Sequence, residues 1–209
     1  MSDTDTSADS ADSTRTPTVT VVGGGPAGLS AALFTAKNGL ETTVFDTDGT
    51  WMHKAHLFNY LGIGSVGGSE FMATARQQVD DFGVDRRQDE PVTAVSETED
   101  GFTIETDAGE YEADYVVLAT GANRNLAEEA GCEFTDADVV DVGVEMETSV
   151  SGLYATGAMV RPEEWQAAIA VGDGAAAALN ILSSVKGEHY HDFDVPADAA
   201  RVFGEQLAE

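Results

Sequence analysis

The chain has 209 residues, 42% of them hydrophobic, and one cysteine, Cys132, which is enough for a single globular domain with a proper core and excludes an intramolecular disulfide or a CxxC redox pair. Thirty-eight acidic residues against ten basic ones leave a net charge of −28. Such a surface repels phosphate backbones, which excludes nucleic acid as a partner. Its self-repulsion calls for screening, as in a halophilic protein of a high-salt cytoplasm, with an acidic face docking a basic partner as the rival reading.

In chain order, MSDTDTSADSADSTRTPT is acidic, Ser/Thr-rich and without an apolar centre. Residues 1–16 are therefore expected to form a disordered, solvated tail and not a secretory signal. No apolar run of membrane-spanning length is expected, and the cytoplasm is the expected compartment. The β-branched run TVTVV ending at Val22 predicts a strand, Gly23–Gly28 a glycine-rich turn, and Leu29–Asn38 a helix stopped by Gly39. Thr42–Phe45 predicts a second strand that ends on Asp46, completing a βαβ unit. Trp51–Gly68 reads as a long loop, and Ser69 as the N-cap of a helix running to Phe82. Val92–Glu97, Phe102–Thr106 and the region of Tyr111 predict an antiparallel meander with turns at Gly101 and Gly109. Tyr115–Ala119 and Leu153–Thr156 predict buried strands, Glu163–Val185 a long helix with a break near Gly172-Asp173-Gly174, and residues 186–209 a polar tail.

The segment VVGGGPAGLSAA places Gly23, Gly25 and Gly28 in GxGxxG spacing between a strand and a helix. Gly23 permits the tight turn, Gly25 lets a pyrophosphate approach the backbone, and Gly28 lets the helix pack on the strand. Pro26 and Ala27 open that helix, whose free N–H groups face the phosphates. Asp46 follows at the distance of an acid that accepts hydrogen bonds from the adenosine ribose. A second glycine turn, Ala119-Thr120-Gly121, ends the buried strand of VVLATGANRN.

A third segment, SGLYATGAMVRPEEWQAAIAVGDGAAAAL, makes the likeness specific. Together with FNYLG at Phe58–Gly62 and METSVSG at Met146–Gly152, it resembles the flavin-binding segments of thioredoxin reductases within the pyridine nucleotide–disulfide oxidoreductases. The resemblance runs from about Thr18 to about Leu182. It implies an α/β fold: a single FAD-binding Rossmann-like domain with a parallel sheet, helices and a small antiparallel meander, over residues 17–185. It implies FAD as cofactor, held by Gly23, Gly25, Pro26, Ala27, Gly28 and Asp46, by Thr120 and Gly121, and by Gly157, Ala158, Trp165, Gln166 and Ala167.

The sequence also departs from that family. Gly121 to Gly157 leaves 36 residues, too few for a second Rossmann unit, so the two flavin segments are expected to join directly near 122–150 without an NADPH domain. The redox CxxC is absent, Cys132 reads as a small buried hydrophobe, and Ala158 stands where the family places an Asp on the ribityl chain. His53 and His56 are the candidate proton donors of the loop expected near the flavin, against the reading of surface histidines. Trp165 either stacks on the flavin or packs. Tyr190 and Phe193 either cover the flavin, like an aromatic tail in some reductases of the group, or pack on their own domain. His189 and His191 make a poor metal set, and no metal is expected. The expected function is that of a FAD-dependent oxidoreductase whose exposed flavin exchanges electrons with an unknown donor and acceptor, protein or small molecule, in a homodimer or larger oligomer. The alternatives are a non-catalytic flavin- or adenine-nucleotide-binding module and a subunit of a hetero-oligomeric reductase.

Overall fold

Strand β1 (Thr18–Val22) is flanked by β2 (Glu41–Asp46) and β9 (Tyr115–Leu118) in a computed structural model that describes residues 15–193. Val21, Val44 and Val117 have no solvent exposure. A central parallel strand is covered on both faces, which is why these segments read as continuous apolar runs. β10 (Leu153–Ala155) joins β9 and β5 (Asp85–Gln88) joins β2, giving the order β10-β9-β1-β2-β5 with every pair parallel. The short strands β3 (His56–Leu57) and β4 (Val66–Gly67) pair within the long loop, which also holds a 3-10 turn at Trp51–Lys54. The meander of β6 (Val92–Thr98), β7 (Gly101–Thr106) and β8 (Glu110–Ala113) is antiparallel as expected. Phe45 meets Tyr111 of β8 edge to face, with ring centroids 5.0 Å apart, which docks the meander on the sheet.

Helix α1 (Pro26–Lys37) leaves the first glycine turn, and the long C-terminal helix α4 (Ala167–Lys186) packs along it. The two approach closely because Gly174 of α4 lies against the Ala27 carbonyl, where a Cβ would come within 2.0 Å. Ser30 Oγ adds a hydrogen bond to the Val171 carbonyl at 2.7 Å. Two expectations are corrected here. The Gly172-Asp173-Gly174 stretch does not break the helix; Gly174 is the site of its closest packing. By length and composition α4 is also apolar enough to cross a bilayer, contrary to the reading of the sequence. One face of it, with Ala177, Ala178, Ile181 and Leu182, is buried in the core.

Besides β3, β4 and the 3-10 turn of the long loop, β5 and a short helix escape the sequence reading. β5, with the sequence DRRQ, is an edge strand whose charged side chains carry no apolar signal. The short helix α3 (Asn125–Glu129) lies between β9 and β10. Helix α2 (Gly68–Asp81) begins one residue before Ser69, which is in its first turn and is not the N-cap. Residues 121–157 hold α3, the short strand β10 and two isolated bridges, Phe134–Val140 and Glu147–Tyr154, and no βαβ unit.

The segment after α4 returns to α1. Asp192 accepts from Lys37 Nζ at 2.7 Å, Tyr190 OH bonds Asn38, and Ser183 Oγ accepts from the Tyr190 N–H at 3.0 Å. Of the two readings, packing on the chain's own domain is therefore the one seen for Tyr190, at the C-terminal ends of α1 and α4, whereas Phe193 is exposed beside His191. The expectations for residues 1–14 and 194–209 lie outside the described residues.

Arg15, Lys37, Arg76, Arg86, Arg87 and Arg161 each pair with an aspartate. Among the described residues, most of the acids have no ion-pair partner. Stability is expected to rise steeply with KCl as the Debye length falls from about 10 Å at 0.1 M to about 3 Å at 1 M. Thermal melts across that range test this, and a midpoint indifferent to KCl contradicts it.

Candidate functional site

Four strand ends set the site. Val22, Asp46, Leu118 and Ala155 close β1, β2, β9 and β10 on the same edge of the sheet, and the loops that follow them enclose a cleft of about 940 Å³. Ligands of open parallel sheets bind at such carboxyl ends.

The first glycine turn forms one wall. Gly23 has φ +111°, and a Cβ there would come within 2.3 Å of the Ala119 carbonyl. Gly28 lies under the turn, where a Cβ would meet the Gly23 carbonyl at 1.9 Å. It packs the helix and does not itself line the cleft. Gly25 differs, since a Cβ there would meet only Thr50 Oγ1 at 3.7 Å. The open space in front of Gly25 is on the cleft side, and Gly25 is the N-cap of α1 with no side-chain cap bond. The first N–H groups of α1 are thus left for an anion.

Asp46 is 6% exposed. Its Oδ1 accepts the Asp48 N–H at 2.9 Å, and its Oδ2 accepts from Arg76 Nη2 at 3.1 Å. Gly24, read only as a spacer in the motif, is where it is because a Cβ would come within 2.3 Å of Asp46 Oδ2. Arg76 also bonds Asp48, and with His53 it holds that carboxyl below its usual range. Arg76 carries no sequence signal, because it sits on α2, 30 residues from Asp46. Glu90 is a second unforeseen lining residue. Its carboxylate accepts from Thr106 Oγ1 and Tyr111 OH, each at 2.7 Å, and these bonds hold its pKa low.

At the other end of the cleft, Thr120 and Gly121 follow β9, and Gly157 and Ala158 follow β10. Gly157 has φ +72° and lies against Ala27, so the second Ala-Thr-Gly turn rests directly on α1. Helix α4 opens here with Gln166 as an N-cap that makes no side-chain cap bond. Trp165, Gln166 and Ala167 all line the cleft. The turn after β10 thus packs through Gly157 on the methyl groups of Ala27 in α1 and Ala170 in α4.

Of the two histidines, His56 lines the cleft and bonds Ser65 Oγ at 2.9 Å. His53 does not line it. Its Nδ1 meets Ser69 Oγ at 2.8 Å and its Nε2 meets Asp48 at 2.7 Å, which turns the ring away. Tyr190 and Phe193 are absent from the cleft as well. Cys132 is buried beneath α3, and burial pushes its thiol pKa up. A maleimide is expected to leave the folded protein unmodified at neutral pH and to label it promptly in urea. Rapid labelling of the native chain would place the thiol at the surface.

With the glycine turns, the acid at the end of β2 and two uncapped helices around one cleft, comparison with known proteins becomes specific. A family model, the pyridine nucleotide-disulphide oxidoreductases, matches residues 17–122 and 63–172. The chain belongs to this family. It is 31% identical over 118 residues to a thioredoxin reductase of Peptoclostridium litorale, covering 54% of this chain and 36% of that one. It is 27% identical over 116 residues to a ferredoxin–NADP reductase of Levilactobacillus brevis, covering 52% and 35%. The chain thus spans about a third of the length of these relatives. Its fold is similar to that of an atypical thioredoxin reductase from Desulfovibrio vulgaris Hildenborough, with TM-score 0.75 at 20% identity, over 83% of this chain and 99% of that one. A thioredoxin reductase from Gloeobacter violaceus is alike to the same degree, with TM-score 0.75 and 20% identity over 84% and 98%. The α/β fold with its parallel sheet is therefore that of this family's dinucleotide-binding domains.

Proposed function

We propose that this chain is a FAD-binding oxidoreductase domain of the thioredoxin reductase type, without a nicotinamide domain between Gly121 and Gly157 and without a dithiol. The observation that carries the reading is the convergence of two uncapped helix N-termini, α1 and α4, on one cleft. The N–H groups of α1 beside Gly25 would hold the pyrophosphate, and Asp46 would face the adenosine ribose. Gln166 and Ala167 would hold the flavin ring, where the positive end of α4 would favour the negative charge of reduced flavin. FAD supplies the redox chemistry; the chain holds it, and His56 is the side chain placed to hold or deliver a proton at its Nε2 or Nδ1. The brevity of 121–157, with α3 as its one element ahead of β10, favours a flavin open to an external donor and acceptor. The buried position of Cys132 speaks against electron relay through a disulfide.

A second reading, a flavin- or adenine-nucleotide-binding module without turnover, is favoured by Ala158, which offers only a methyl group to the cleft. An absorption spectrum of the protein purified in molar salt, before and after dithionite, tests both. Flavin bands that bleach, with turnover of an artificial acceptor, are expected. A bound flavin that supports no turnover selects the second reading. Colourless protein that fails to take up added FAD removes the oxidoreductase reading.

A further inference from the structure

The mouth of the cleft holds both tryptophans of the chain. Trp51 and Trp165 face each other with centroids 5.3 Å apart and planes tilted by 60°. They are 62% and 41% exposed, although large rings of this kind usually gain more from burial. Their pairing is built from both sides. Trp165 Nε1–H donates to the Arg161 carbonyl at 2.9 Å, and Asn59 Nδ2 donates to Gln166 Oε1 at 2.8 Å, which ties the loop of Trp51 to the loop of Trp165. Glu164 is adjacent, lines the cleft, and has no cation paired with it among the described residues.

The charged side chains that line the cleft have one sign, while Arg161 behind Trp165 is turned to Asp173 and is within electrostatic reach of Glu164. Asp46, Glu90, Glu129 and Glu164 line the cleft, and no Lys or Arg does. The α1 N–H groups would meet the pyrophosphate of one dinucleotide, and the lining of the cleft offers no Lys or Arg to the phosphates of a second. An aromatic face attracts a cation through its quadrupole, and a neighbouring carboxylate adds to that attraction while repelling anions. We propose that Trp51, Trp165 and Glu164 form a binding site for a planar organic cation at the mouth of the cleft. That such a cation is the flavin's reaction partner rests on the FAD reading above; the binding itself does not.

Because the two tryptophans are the site, intrinsic fluorescence reports its occupancy with or without FAD. The probes are matched in shape: N-methylquinolinium as cation, quinoline as neutral molecule and quinoline-8-sulfonate as anion, titrated at constant chloride above neutral pH. Saturable quenching by the cation is expected at an affinity roughly two- to thirtyfold above quinoline, the span of a cation–π contact, with the anion weakest. Trp165→Leu is expected to lose the cation preference. Glu164→Gln keeps both rings and is expected to lower cation affinity while leaving quinoline unchanged, so the result does not depend on how Trp165→Leu folds. Equal affinities for cation and neutral probe, or an anion that binds as well as the cation, overturn the proposal. Cation preference in a protein that never takes up FAD leaves the site standing and removes the flavin reading, whereas FAD uptake without cation preference does the reverse.

Discussion

Gly25→Asp is expected to fold at least as well as the parent and to lose its cofactor. Gly25 has φ −81° and ψ −174°, an extended conformation open to any residue, and a Cβ there meets nothing closer than Thr50 Oγ1 at 3.7 Å. It is also the N-cap of α1 and makes no side-chain bond. An Asp at an N-cap accepts an N–H from the first turn and stabilises a helix by a few tenths of a kcal/mol over Gly. The same carboxylate then occupies the place of the pyrophosphate and opposes its charge. A carboxylate about 4 Å from a phosphate costs about 4 kcal/mol at an effective dielectric of 20, roughly a thousandfold in affinity. Melting in molar KCl and titration with FAD read the two effects separately. A variant that melts like the parent and binds FAD as tightly would remove Gly25 and the α1 N-terminus from the cofactor site. Gly25→Ala, with no charge, is expected to bind FAD with an affinity between those of the parent and Gly25→Asp.

What the sequence makes legible follows from how local each signal is. The strands β1, β2 and β9 are apolar runs with a short glycine turn after β1, and each keeps its expected place within a residue or two. GxGxxG and Asp46 are likewise a local pattern with a fixed spacing, and both meet the cleft. β5 is hidden because an edge strand needs only backbone bonds to one neighbour, and DRRQ puts its side chains into water. Arg76 and Glu90 are hidden for a different reason. Each reaches the site from an element whose own pattern is set by other demands: α2 by the burial of Met72 and Val79, and the start of the meander by its turn. His53 and His56 are three residues apart in a loop, and nothing in their spacing distinguishes the one that faces the cleft from the one that Ser69 and Asp48 draw away. The Gly172-Asp173-Gly174 stretch misleads because two glycines lower helix propensity, whereas the reason for one of them lies across the interface on α1.

That interface gives the sharpest stability contrast in the molecule. Gly174→Val is expected to unfold the chain or lower its stability by more than about 3 kcal/mol, at the upper end of overpacking effects. The side chain would enter the space of the Ala27 carbonyl, 2.0 Å from an ideal Cβ, and of the Ala31 nitrogen at 3.1 Å. Both are backbone atoms of α1, so no flexible side chain can yield. α1 also carries the Gly25 N-cap, so a helix forced outward carries the cradle with it, and residual folded protein is expected to bind FAD weakly. Gly172, two residues earlier in the same helix, has nothing within 4 Å of an ideal Cβ. Gly172→Ala therefore gains helix propensity and nothing opposes it, for about 0.5–1 kcal/mol of added stability. In a chain of this size that is a rise of roughly 1–4 °C in melting temperature, against a fall of several times that amount for Gly174→Val. Parallel melts of the two variants in molar KCl decide the point. Equal effects at the two glycines would mean that α4 does not lie on α1 through Gly174, and the joint placement of Gly25 and Gln166 around one cleft would go with it.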